Sequence, residues 1–265
     1  KSILKEADLK PFESINDPNN KDVESYTYPH ILESGDLVAR KATFKETAHL
    51  VNMDSRKKIV DIGHSNNGFI SYSKKSAIWL ENQTIPRWGN LDLARIVHFD
   101  FSSSEKTILL EKERIYFAAI SPDDDRFVSV KVDLDLDYSI SEYEKENGAL
   151  IRTLPNKEGW EIGYPLYDLK KPFLYYVAKK NSLLAIVRHN LKTDEKTFLT
   201  GWENNVMVEP SQTEDYILFR GTFSGIDNVY AVSKAGDKLI HKLSSVPVAA
   251  GYPAYGEKNK ELIFS

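Results

Sequence analysis

The chain reads as an all-β protein, a β-propeller of four-stranded blades, and three observations carry that reading. The stretch Glu209 to Leu243 holds apolar bursts at 216–219 and 229–232 and a further strand-like segment at 238–243, separated by Ser224-Gly225-Ile226-Asp227-Asn228 and Ala235-Gly236-Asp237. This unit of three or four short strands recurs: Pro122, Pro165, Pro210 and Pro253 are spaced 43, 45 and 43 residues apart, and Pro29 lies 93 residues before the first of them, about two periods. A period of about 40 to 45 residues with four strands marks a propeller, whose twisted sheets bury their faces against their neighbours. Finally, 14 Tyr and 12 Phe bring the aromatic content to 11%. That suits strands, because flat side chains pack well on a pleated surface.

Composition narrows the class. At 265 residues one closed repeat fold is a better expectation than two domains. The formal net charge is -4 with Lys and Glu interspersed, so no positive stripe exists to displace counterions from a phosphate backbone, and nucleic acid is not expected as a partner. No apolar run is long enough for a transmembrane helix. The absence of cysteine excludes a disulfide framework and thiolate metal sites. Lys1 stands where a Met would begin a chain, so the start reads as a processed or truncated end.

Residues 1–25 read as a linker or the end of an upstream segment, and 26–265 as the propeller. Ile3, Leu4, Ala7 and Leu9 fit one or two amphipathic helical turns stopped by Pro11, and Asn16-Asp17-Pro18-Asn19-Asn20 is turn chemistry. The first blade is expected from about Tyr28 to Gly63, and the second from about Gly68, with an unusually long link, Glu81 to Asp92, between its second and third strands. The third starts at Tyr116, turns at Ser121-Pro122-Asp123-Asp124-Asp125, and continues into Asp133-Leu134-Asp135-Leu136-Asp137, whose alternation fits a strand with one acidic face or a protruding hairpin. The fourth runs from Gly163 to Thr200 and the fifth over Glu209 to Leu243. A sixth begins at Gly251 and supplies two strands by Ser265, so the propeller is expected to be six-bladed with its last blade incomplete in this chain. The missing pair is expected beyond Ser265 rather than from residues 1–25, the chain then being part of a longer protein.

The repeat of Pro, polar turn and paired apolar strands resembles the TolB-like propeller repeat of bacterial envelope proteins. More narrowly, Trp79-Leu80-Glu81, Pro86-Arg87-Trp88-Gly89, Ser121-Pro122-Asp123 and Ser224 to Ala231 resemble a group of such propellers in Bacteroidota-type bacteria. The resemblance spans about residues 26–265. It implies a periplasmic or outer-membrane-associated module of a larger protein, beside a zinc-peptidase-like domain or an outer-membrane β-barrel. Two departures stand out: Asp124 follows Pro122-Asp123 where the family commonly has Gly, and the second blade lacks its proline.

Chemistry-bearing motifs are sparse. The six His are scattered with no His-Glu-x-x-His pair for zinc, and Gly221-Thr222-Phe223-Ser224-Gly225 lacks the spacing of a hydrolase elbow. No catalytic residue, metal or cofactor is expected. Asp123-Asp124-Asp125 lacks the glycine and later Glu of a calcium loop and reads as a solvated turn, as do Asp133, Asp135 and Asp137. Ser224 to Asn228 reads as a structural turn, with Gly225 supplying positive φ. Arg87 and Trp88, on the longest link, are the candidate partner-binding residues, because exposed Trp and Arg anchor interfaces; the competing reading folds Trp88 back over a blade edge. Trp160 and Trp202 each follow the last strand of a blade and are candidates for lining one disc face, or for packing. The expected function is a non-catalytic interaction scaffold of the bacterial envelope, binding a protein or a neighbouring domain, with possible association with an outer-membrane β-barrel. The alternatives are an accessory domain of a peptidase whose catalytic domain lies elsewhere, and a carbohydrate-binding propeller.

Overall fold

The computed structural model describes residues 3–6, 12–15, 23–83 and 92–265. Its first strand is β1 (Ile3–Glu6). Blade one comprises β2 (Glu24–Ile31), β3 (Leu37–Thr43), β4 (His49–Asn52) and β5 (Lys58–Asp61), and blade two β6 (Ile70–Tyr72), β7 (Ser76–Gln83), β8 (Leu93–Asp100) and β9 (Glu105–Glu113). Blade three is β10 (Ile115–Ile120), β11 (Arg126–Val132), β12 (Tyr138–Glu144) and β13 (Leu150–Leu154), and blade four β14 (Glu161–Tyr167), β15 (Phe173–Lys180), β16 (Leu183–Asn190) and β17 (Lys196–Phe198). Blade five is β18 (Met207–Gln212), β19 (Tyr216–Gly221), β20 (Asn228–Ser233) and β21 (Leu239–Lys242); β22 (Ala254–Gly256) and β23 (Glu261–Ile263) form a partial sixth sheet. The protein is an all-β propeller with five full blades and part of a sixth, and the inner strands β2 and β18 both border β22.

The core lies between blades, as stacked twisted sheets require. Leu50 and Ile62 of blade one meet Trp79 and Val97 of blade two. Ile78 and Ile96 then meet Phe127 and Tyr143 of blade three, and Tyr175 and Ile186 of blade four meet Phe219 and Tyr230 of blade five. Central strands such as β7 and β15 are buried on both faces, which explains their nearly continuous apolar runs.

Four prolines mark one backbone device. Tyr28, Tyr164, Glu209 and Tyr252 each precede a proline, on the inner strand in blades one, four and five and just before β22 in the sixth sheet, and adopt φ between 50° and 55°. In blades one, four and five the pairing register shifts at this point, a β-bulge. A left-handed conformation costs an L-residue about 1–2 kcal/mol, so its repetition implies compensation, which the packing of these side chains at the axis supplies.

Several expectations require correction. Pro122 does not mark this bulge: it sits in the turn after β10, and the register shift of blade three falls at Tyr116. The near-equal spacing of Pro122 from Pro165 therefore joined two different features. Ile3–Glu6 form no helical turn but the strand β1, which pairs in parallel with β21 as a fifth strand of blade five, Ile3 opposite Leu239. Of the two forms left open for Asp133 to Asp137, the protein adopts the hairpin: Asp133 accepts the backbone NH of Asp135 and of Asp137 at 2.9 Å, and the strand is Tyr138–Glu144. Asp124 is not solvated, being 2% exposed.

Candidate interaction face and axial channel

Each blade is an antiparallel meander that starts at its inner strand. Turns between second and third strands, and connectors between blades, therefore share one face of the disc, the connector face; turns between first and second and between third and fourth strands share the other, the hairpin face. The two faces differ chemically.

Buried ionic staples hold the hairpin face. Asp124, after β10, accepts hydrogen bonds from Ser73 Oγ (3.2 Å) and Ser76 Oγ of blade two and pairs with Lys145 of its own blade. Burial alone would raise its pKa, but His98, Lys145 and Ser76 hold it well below the usual carboxylate range. Asp168, after β14, accepts from Tyr175 Oη (2.8 Å) and from Lys234 Nζ of blade five (3.0 Å). Burial lowers the Lys234 pKa although Asp168 opposes it. A groove of about 410 Å³ opens beside the first staple, between Asp100, Glu105, Thr107 and Ile108 of blade two and the Lys145 to Gly148 turn. In its wall His98 Nδ1 lies 3.4 Å from Thr107 Oγ1, and Nε2 lies 3.6 Å from Asp124 Oδ1. The order resembles a nucleophile-base-acid relay, but Asp124 is already committed to Ser76 and Lys145, so its role is structural.

The connector face carries exposed apolar side chains on turn after turn. Phe44 (90% exposed), Leu134 and Val248 (80% each), Val23, Leu136, Val206 and Ile226 all lie there, whereas the hairpin face presents fewer and less exposed ones, Leu150 and Ile151 at the start of β13, Leu169 and Tyr216. Trp160 and Trp202 belong to connectors on the same face. Trp160 is buried at 6% and Trp202 partly buried, the two rings 5.6 Å apart in an edge-to-face contact closed by Phe198. Trp160 is thus core packing, and Trp202 is its cover. Arg87 and Trp88 lie outside the described residues.

At the axis each inner strand contributes one side chain: Tyr28, Phe69, Phe117, Tyr164, Glu209 and Tyr252, spaced 41, 48, 47, 45 and 43 residues apart. Neighbouring rings touch, Tyr252 to Tyr28 at 4.7 Å, Tyr28 to Phe69 at 5.8 Å, Phe69 to Phe117 at 5.5 Å and Phe117 to Tyr164 at 4.7 Å, and Phe69 also reaches Tyr164 at 5.8 Å. The centre of the disc is therefore packed rather than an open passage. Glu209 is the one carboxylate of this ring. Arg220 holds it through Nε (2.9 Å) and Nη2 (2.8 Å), and the Tyr252 backbone NH donates at 3.1 Å. Burial opposes the Arg220 charge, but Glu209 and Asp227 outweigh it and raise its pKa above the ordinary value. Burial, reinforced by Glu209, also raises the pKa of Tyr28, Tyr164 and Tyr252, keeping the phenols neutral. The axial glutamate escaped the sequence reading. Its signal was the series Tyr28-Pro29, Tyr164-Pro165, Glu209-Pro210 and Tyr252-Pro253, in which the residue before each proline is the axial side chain.

Among the described residues, no group of three or more His, Asp or Glu is arranged to hold a metal, and no helix is long and apolar enough to cross a membrane. Fold and axis together define a β-propeller with a filled centre. No family model matches the sequence, and no curated protein matches it significantly. Among solved structures, the chain is similar to TolB from Acinetobacter baumannii (TM-score 0.64, 15% identity), over 87% of this chain and 56% of that one. It is also similar to an oligogalacturonate lyase in complex with manganese (TM-score 0.62, 13% identity; 89% and 72% covered). A third likeness is to the propeller domain of the trilobed protease from Pyrococcus furiosus, which has an open-Velcro topology (TM-score 0.55, 13% identity; 92% and 77% covered). The chain thus spans little more than half the length of the Acinetobacter TolB. At such identities the shared property is the fold.

Proposed function

We propose that the chain is a non-catalytic protein-interaction module, docking a partner or neighbouring domain through its connector face. The observation that carries this reading is the concentration of exposed apolar side chains on that face, from Phe44 through Leu134 and Leu136 to Val248. Exposed apolar side chains clustered on one side of a soluble fold lose water contact only when something covers them, and such patches mark interaction surfaces. The rigid ring holds the turns that bear them in fixed relation, which lowers the ordering cost of binding. The filled axis is the reason docking is preferred to the passage of a substrate through the disc. A place in the bacterial envelope, in the periplasm or at the outer membrane, is supported by the motif resemblance and by the fold shared with TolB propellers.

Photo-crosslinking residues introduced singly at Phe44, Leu136 and Val248, with Leu169 and Tyr216 as hairpin-face controls, test the reading in the native host. Adducts of one defined partner are expected from the connector-face positions alone. Equal yields from both faces, or none from the connector face, would remove this assignment.

A further inference from the structure

Four seams of the ring are closed by apolar clusters that two blades share, and the seams of the sixth sheet are not. Blades one and two share the cluster of Leu50 and Trp79, two and three that of Ile78 and Phe127, three and four that of Ile140 and Tyr176, and four and five that of Tyr175 and Phe219. Among the described residues no such cluster joins the sixth sheet to blade five or to blade one; Ala39, Val51 and Met53, with Tyr26 and Leu37 against them, form a cluster of blade one alone. The sixth sheet meets blade one near the axis, where the Tyr252 ring lies 4.7 Å from that of Tyr28 and a Cβ on Gly256 would lie 2.7 Å from Ile31 Cδ1. Around this stretch the N-terminal segment is anchored three times. β1 pairs in parallel with β21 at the outer edge of blade five. The Phe12 ring meets Phe264, just after β23, edge to face at 5.7 Å. The Ile15 carbonyl accepts from Nη2 of Arg56, in the turn between β4 and β5 of blade one, at 2.7 Å. Successive anchors thus fall on blades five, six and one, in ring order.

We propose that the N-terminal segment, held at Ile3–Glu6, Phe12 and Ile15, is a latch that ties blades five, six and one together across the seams that lack a shared apolar cluster. A sheet of two strands is marginal by itself and needs a neighbour to bury its face, so the sixth sheet depends on what flanks it. Each hold is superficial: Phe12 is 57% exposed, the Arg56 bond is exposed, and β1 meets only an outer edge. The latch can therefore release while the blades stay folded, as elements of low local stability do. Release frees the outer edge of β21 and lets the sixth sheet part from blade one, presenting strand edges for pairing. This inference stands apart from the docking role of the connector face.

Hydrogen exchange of the full chain supplies the test, read at β2 and β22, which pair with β3 and β23 and not with the segment. Leu4→Pro/Phe12→Ala/Arg56→Ala removes all three holds, the proline by taking a donor out of β1. Exchange at β2 and β22 is expected to quicken by about tenfold or more while β11 and β15 keep their rates, the pattern of a lost local restraint. Phe12→Ala alone, a change at an exposed ring, should give the same pattern at smaller amplitude. The chain has no cysteine, so Phe12→Cys/Phe264→Cys places a single disulfide at the second anchor; oxidation should slow exchange at β2 and β22 below the wild-type rate, and reduction should reverse it. Unchanged exchange at β2 and β22 in the triple variant overturns the latch. Equal acceleration in β11 and β15 overturns it too, since the segment then serves general stability, and failure of the two cysteines to oxidise removes the hold on the sixth sheet. Exchange reads the seams and crosslinking reads the connector face, so the two proposals fail separately.

Discussion

Glu81 shows how much a single buried carboxylate organises. It is 3% exposed and accepts from the Gly63 backbone NH (3.0 Å), Trp79 Nε1 (3.0 Å), Arg95 (Nε 3.0 Å, Nη2 2.7 Å) and Lys106 Nζ (2.8 Å), tying the end of blade one to two strands of blade two and to the blade-two edge. Burial disfavours its charge, yet these donors lower its pKa to about 2. Gly63 is required by closeness rather than by backbone angle, since a Cβ there would fall 2.6 Å from Glu81 Cδ. Gly63→Ala should therefore cost about 1–3 kcal/mol, the usual range for forcing volume into a packed site; urea unfolding measures it, and an unchanged midpoint would show that the knot can shift.

Between elements, the staples decide how blades adhere. Asp124 joins the blade-two turn at Ser73 and Ser76 to Lys145 across a buried site. Removing one partner of such a pair leaves an uncompensated charge, at about 3–5 kcal/mol. Asp124→Asn is expected to destabilise by that order, and Asp124→Asn/Lys145→Met to recover part of the loss, because the second change removes the stranded ammonium. Thermal unfolding of the two variants and of Lys145→Met completes the cycle; strict additivity would mean that Asp124 and Lys145 act separately. The sequence reading treated this Asp run as a wet turn. Nothing in Pro122-Asp123-Asp124-Asp125 distinguishes the one carboxylate that turns inward, because the donors that receive it lie 48 and 51 residues earlier in the chain.

For the whole molecule, stability should fall in mild acid. His30, on the inner strand of blade one, stacks on Tyr72 with ring centroids 4.5 Å apart and planes 4° from parallel. Burial lowers its pKa from 6.5 to about 4. The folded state therefore keeps the ring neutral while the unfolded chain takes up a proton, so stability is full above pH 6.5 and declines as the pH falls towards 4, by up to about 3 kcal/mol. His30→Phe retains a stacking ring and should flatten that window, as read by unfolding free energies at pH 7.5, 5.5 and 4. Parallel pH profiles for the two proteins would place the titrating group elsewhere.

The all-β class, the blade period and the boundaries of most strands were legible along the chain, because apolar alternation and turn chemistry are local. Glu209-Pro210 and its counterparts were visible as a ruler, and the Ser224 to Asn228 turn was read as structural. There Gly225 has φ 79°, and Asn228 bonds back to Ser224 Oγ at 3.2 Å. What the bulge is for required the tertiary structure: it aims one side chain per blade at an axis that exists only once the blades assemble. The same holds for β1, whose four residues carry too little pattern to tell a helical turn from a strand, and which is a strand because β21 offers it an edge. The Asp124 carboxylate finds Ser73 and Ser76 only once blades two and three stand side by side, since a charge meets its partner through space, here across blades that the sequence sets 51 and 48 residues apart.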